Sequence, residues 1–143
     1  MTVAHILASK GHDVVTAPPE TALSEIAATL AGRGIGAIVI INDAREVLGI
    51  ISERDVVRAI ASGGGGALAD TAGQHMTERV TQAMGAMTVT QAMEHMTRGR
   101  FRHLPVVENG ALAGLVSIGD IVKHRLAQIE GESRALRDYI GSA

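Results

Sequence analysis

GIISERD (Gly49 to Asp55) and GLVSIGD (Gly114 to Asp120) carry one pattern: Gly, two aliphatics, Ser, two variable residues, Asp. The aliphatic pair reads as the end of a buried strand. Ser with an acid three positions later, ahead of an apolar run, reads as the capping box of a helix start. Ser52 and Ser117 are 65 residues apart, as are Asp55 and Asp120. Upstream, IGAIVIIND (Ile35 to Asp43) aligns with FRHLPVVEN (Phe101 to Asn109) at an offset of 66. The one-residue change falls in the intervening turn, where a duplicated fold tolerates it. Further back, ETALSEIAATLAGRG (Glu20 to Gly34) aligns with AMTVTQAMEHMTRGR (Ala86 to Arg100). The chain is an internal repeat.

Each copy reads as β-α-β-β-α. A short extended piece (Val14 to Thr16; Val80 to Gln82) precedes a helix that starts near Thr21 or Thr88. Thr88 and Gln91 fit a capping box, and Leu23, Ile26, Ala27 and Leu30 recur at helical spacing. The runs AIVII and LPVV read as buried strands, Asn42-Asp43 and Asn109-Gly110 as turns, and VLGII and ALAGLV as return strands. The last helices run from Glu53 to Ser62 and from Ile118 to about Tyr139. One such unit has a marginal core, and two facing each other bury more. The division expected is an N-terminal helical segment at 1–12 (helix Thr2 to Ser9), repeats at 13–67 and 68–128 and a C-terminal helical extension at 129–143. Ser62 to Leu68 is expected to be a flexible joint. In the tail Leu126, Ile129, Leu136 and Ile140 form one apolar stripe among charges, which suits an exposed helix with a dimer contact.

Composition narrows the function. Of 143 residues, 46% are apolar and 20% charged, enough for a core and against wholesale disorder. A net charge of −2 gives no footprint for nucleic acid or an anionic membrane. Cysteine is absent, which excludes disulfides and thiolate metal sites. Phe101 and Tyr139 are the only aromatics, too few for a stacking platform. No apolar run is long enough for a membrane span and no secretory signal opens the chain, so a cytoplasmic protein is expected.

Several motifs are set aside. GRGIGA (Gly32 to Ala37) follows a helix and precedes a strand, the reverse of a dinucleotide loop, and reads as a helix end. Met93 and Met96 sit at helical spacing and read as core. The six histidines show no metal-ligand spacing, and Ser24, Ser52 and Ser117 lack a nucleophile-elbow context. No catalytic residue or metal site is expected, and the chain is read as a non-enzyme. Two motifs admit both a structural and a binding reading. Ser52/Asp55 and Ser117/Asp120 cap helices, but a helix start also attracts phosphate, and a carboxylate beside it accepts hydrogen bonds from ribose hydroxyls. Arg100, Arg102 and His103 fit either a solvated loop or a phosphate site.

The tandem units, the Ser-x-x-Asp helix starts and HLPVVE before a turn resemble a pair of CBS (cystathionine β-synthase) domains, a Bateman module, over about residues 10 to 135. The resemblance implies an α+β fold of two β-α-β-β-α repeats about a pseudo-twofold axis, with two clefts between them. It implies a regulatory role, a homodimer, and AMP, ADP, ATP, NAD or S-adenosylmethionine as ligand, with no required cofactor. Nothing in the chain is left over for a catalytic domain, so a stand-alone module is expected.

By the same resemblance Asp120 and Asp55 hold ribose, and Ser117 and Ser52 touch ribose or phosphate. Arg102 and His103 face the phosphates of the Asp120 cleft, with Val14, Ile35 and Leu115 around adenine. Ile50, Val80 and Phe101 serve the Asp55 cleft, with Arg54 beside it. The counterparts of Arg102 and His103 are Gly36 and Ala37, which carry no charge, so the clefts are expected to be unequal and the Asp120 cleft the tighter. The rival readings are a structural or partner-docking protein with empty clefts, an enzyme using a cleft His or Asp, and nucleic-acid binding, which the charge opposes.

Overall fold

The computed structural model describes residues 1–142; the last residue of the expected C-terminal extension, 143, lies outside them. The elements are α1 (Val3–Lys10), β1 (Thr16–Ala17), α2 (Leu23–Arg33), β2 (Ala37–Ile41), β3 (Val47–Ser52), α3 (Glu53–Gly63), α4 (Ala72–His75), α5 (Val89–Gly99), β4 (His103–Glu108), β5 (Ala111–Ser117) and α6 (Ile118–Ser142).

The repeat is visible in the hydrogen-bond ladders. β1 pairs parallel with β2, and β2 antiparallel with β3 in the register Val39↔Ile50. β4 and β5 form the matching hairpin, Pro105↔Leu115. Both hairpins slip register at the same place, between Ile40 and Ile41 and between Val106 and Val107. The short leading strand lies later than the sequence suggests: at Thr16–Ala17 in the first unit, and as a single parallel bridge, Ala83 to Val106, in the second. Thr88 caps α5 through the expected box with Gln91. α2 instead begins at Leu23 after Ala22, which has no side chain able to cap.

Each unit has its own core, and each core borrows from a segment outside its sheet. The first gathers Leu23, Ile26, Ile38, Ile40 and Ile51, with Ala67 and Ala72 from the connection between the units. The second gathers Val89, Met96, Leu104, Val106 and Val116, with Val3, Ile6 and Leu7 from α1. So the helix ahead of unit one packs on unit two. Burying each of those three side chains contributes about 1.5–3 kcal/mol, enough to fix α1 in place. Backbone bonds match in the two halves: the Val3 and Ala4 amides donate to Met87 and Gly85, and the Ala72 and Gly73 amides to Thr21 and Pro19.

The glycine run is not a free joint. α3 continues to Gly63, a 3-10 helix spans Gly64–Ala69, and Ala67 is buried. Glycine weakens helix propensity, but burying Ala67 and Ala72 in a neighbouring core overrides it.

Candidate functional site

Ser52 and Ser117 are helix caps, as their spacing predicts. The Asp55 amide donates to Ser52 Oγ (3.4 Å), and the Ser52 amide and hydroxyl donate to Asp55 Oδ2 (2.8 and 3.0 Å). The Asp120 amide donates to Ser117 Oγ (3.1 Å) and the Ser117 amide to Asp120 Oδ2 (2.8 Å). The first helical amides are also engaged: Glu53 donates to the Gly36 carbonyl (3.1 Å) and Ile118 to the Arg102 carbonyl (2.8 Å). Most of each first turn is therefore tied internally, which leaves few amides there free for a phosphate. Each carboxylate uses Oδ2 for its cap, and among the described residues no hydrogen bond reaches either Oδ1.

The two carboxylates differ in their second partner. Lys10 Nζ lies 2.6 Å from Asp120 Oδ2 and donates to the Leu115 carbonyl at 2.8 Å. No ion pair reaches Asp55 among the described residues. The cause is a length difference. Leu7 on Gly114 and Met76 on Gly49 are counterparts, as are Ala17 and Ala83. From Leu7 to Ala17 is ten residues, from Met76 to Ala83 only seven. The three extra residues extend α1 by nearly one turn and deliver Lys10 to the second unit. In the first unit α4 stops at His75, and Thr77 instead exchanges backbone hydrogen bonds with Ile50 (3.0 and 2.9 Å).

His103 joins the units. It opens β4 opposite Ser117, and its ring packs on Gly36 of the first unit: a Cβ there would lie 3.3 Å from His103 Cε1 and 3.8 Å from Glu53 Oε1. Burial holds the His103 pKa below its ordinary value, and Lys10 adds to that effect; Asp120 and Glu53 oppose it. Partial burial alone would raise the Asp120 pKa. The hydrogen bonds from Lys10 and the Ser117 amide outweigh it and hold the carboxyl below its ordinary value. Both shifts have the same sign for stability. An unfolded chain takes up protons first as pH falls, so His103 stabilises fully above its unfolded value of about 6.5, and this contribution is lost as pH falls through the lower folded value. The Asp120 contribution is present above the ordinary carboxylate value and is lost as pH falls from there through its lower folded value. Thermal melts at pH 7.5 and 5.5 are expected to show a drop in Tm that His103→Gln reduces; an equal drop in both proteins would contradict this.

Leu115, Ser117, Asp120, His103, Arg102 and Gly36 therefore lie around one point, with Lys10 and Glu53 added. Arg102 is exposed, Ala37 is buried in β2 opposite Ser52, and Ile35 and Val14 are half-buried, Ile35 against the first core. Of the residues expected at the Asp55 cleft, Ile50 pairs with Val39 and Thr77, Val80 is half-buried, Arg54 is exposed and Phe101 packs on the second core. Lys10 escaped the sequence reading because it stands 110 residues from Asp120. The unequal seven- and ten-residue spacing was its only trace. No group of three or more metal-ligating side chains occurs among the described residues, and none of their helices is long and apolar enough to cross a membrane.

Two stretches of the chain, residues 3–62 and 72–127, match the family model "CBS domain". A CBS-domain-containing protein of Agrobacterium tumefaciens is 46% identical, with a TM-score of 0.84 over 87% of this chain and 99% of that one. A CBS domain protein of Pyrobaculum aerophilum, solved in complex with AMP, is 28% identical, with a TM-score of 0.75 over 84% of this chain and 89% of that one. An uncharacterised protein of Methanopyrus kandleri is 35% identical over 90% of this chain and 67% of its own length. The chain thus spans about two thirds of the length of such curated relatives.

Proposed function

The chain belongs to the CBS domain family, and from that premise we propose that it is a regulatory module binding an adenine nucleotide of the AMP, ADP, ATP or NAD class in the Asp120 cleft. The observation that carries this is the meeting of Lys10, His103 and the Asp120 carboxylate, whose Oδ2 is taken by the cap and the lysine while Oδ1 stays open. Ribose hydroxyls donate to Oδ1. Phosphate takes the ammonium of Lys10, already beside the site, and the guanidinium of Arg102. The small aliphatic groups Val14, Ile35 and Leu115 suit adenine where aromatics are lacking. The AMP complex of the Pyrobaculum relative supports the ligand class.

The cleft contains Gly36 from one unit and Asp120 from the other, so a bound nucleotide bridges them and favours one arrangement of the halves. That population shift is the regulatory output, read by a second subunit or a protein partner. The Asp55 cleft lacks a lysine and binds more weakly.

A second reading, a docking module with unoccupied clefts, draws support from the same lysine, which already neutralises Asp120 without a ligand. Thermal-shift and calorimetric titration with AMP, ADP, ATP, NAD and S-adenosylmethionine separates the two. A native-state ligand at 100 times its Kd stabilises by about 2.7 kcal/mol, a rise in Tm of several degrees. No shift with any of the five would replace the sensor reading with the docking one.

A further inference from the structure

α6 leaves the body of the protein as it runs. Its beginning is anchored by Ile121, which is buried, but from Ile129 to Gly141 every residue is exposed. The family match ends at residue 127, so this stretch is no part of either repeat. A lone helix of about 12–15 residues is marginal in water and gains its stability from packing.

One face of α6 carries Val122, Leu126, Ile129, Leu136 and Ile140, all at least half exposed, with Ser133 completing the row. The steps alternate four and three, a period of 3.5, which is the repeat of a two-stranded coiled-coil seam. Leu126, Ser133 and Ile140 take the a positions, and Val122, Ile129 and Leu136 the d positions. The flanking e positions are Lys123, Glu130 and Arg137, and Arg125 and Glu132 fall at g.

We propose that α6 pairs with the same helix of a second copy as a parallel, in-register coiled coil. The flanking charges select this arrangement. In a parallel pair each g residue faces the partner's e residue five positions on. That sets Arg125 against the partner's Glu130 and Glu132 against the partner's Arg137, and two-fold symmetry repeats both. An antiparallel pair of full overlap sets Glu130 against the partner's Glu130, Glu132 against the partner's Glu132, and Lys123 against the partner's Arg137, every one repulsive. Among the described residues Arg125 makes an exposed bond to Gln128 (3.2 Å), which leaves it able to exchange partners. A Ser at one a position leaves a seam of otherwise aliphatic layers.

The absence of cysteine makes a direct test available. Ser133→Cys in the full chain is expected to form a disulfide-linked dimer on mild oxidation at micromolar concentration, because facing a residues lie within disulfide reach. Asp138→Cys, on the outer face, is expected to stay unlinked. Sedimentation equilibrium is expected to show a dimer whose Kd rises roughly tenfold with Glu130→Arg at low salt, and recovers when Arg125→Glu is added. All four positions are exposed, so folding is not at risk. Absence of linkage through residue 133, equal linkage through 138, or a Kd indifferent to the charge exchange would each overturn the proposal. None of these readouts depends on nucleotide binding.

Discussion

Replacing Gly49 by alanine is expected to destabilise the protein by about 2–3 kcal/mol, the upper part of the range for overpacking a filled core. The new Cβ would lie 2.7 Å from the Thr77 carbonyl oxygen and 2.6 Å from Met76 Sδ. The carbonyl cannot step aside, because it accepts the Ile50 amide in the bridge that ties the connection to β3. The counterpart substitution, Gly114→Ala, meets first the Leu7 side chain, its methyl groups at 2.8 and 2.9 Å and its Cγ at 3.4 Å. A side-chain end can rotate or shift, so a smaller loss is expected there. Urea denaturation of both variants checks the order; a Gly114→Ala loss equal to or above that of Gly49→Ala would contradict it. The pair of substitutions also probes how the units are joined, since Gly49 receives the connection and Gly114 receives α1.

The second large effect is expected at Asp120. Asp120→Ala removes the carboxylate that caps α6 and would accept the ribose hydroxyls. Losing charge-assisted hydrogen bonds costs about 1.5–3 kcal/mol, so affinity for AMP is expected to fall roughly ten- to a hundredfold. Asp55→Ala removes the same cap from the other unit and is expected to leave that affinity nearly unchanged. Lys10→Ala distinguishes phosphate recognition from simple neutralisation of Asp120. A lysine that contacts phosphate weakens AMP about tenfold while leaving adenosine almost untouched; a lysine that only blocks the carboxylate strengthens both when removed. Calorimetric titration of the three variants with AMP and adenosine decides between these, and the first outcome is the one expected.

Very different ranges of interaction lie behind the parts of this molecule. Strands, helices and the two-unit plan rest on contacts a few residues apart: apolar runs such as AIVII, the Ser52–Asp55 and Ser117–Asp120 boxes, and the Thr88–Gln91 cap. Each is written in a few consecutive residues, and the strand runs and the Ser-Asp boxes recur at offsets of 66 and 65, so the repeated fold could be read from the sequence, and with it the two carboxylates as candidates for binding. Where local signals are weak the structure departs from the expected pattern. Ala22 cannot cap α2, and the second leading strand shrinks to one bridge at Ala83, which no propensity marks.

What the tertiary structure alone decided is which of these local pieces meet. α1 buries Val3, Ile6 and Leu7 in the farther unit rather than the nearer one. The glycine run Gly63 to Gly66 lies in a helical connection because Ala67 finds a core to enter. The ring of His103 rests on Gly36, where the missing side chain leaves room for it. Above all, an extra turn of α1 puts an ammonium on Asp120, and no ion pair reaches Asp55 among the described residues. The sequence determined two like helix starts and, through Arg102 and His103 against Gly36 and Ala37, an expected inequality between them. The lysine on Asp120 belongs to the fold, because burial of an apolar helix face, which is not directional, chose where Lys10 would be carried.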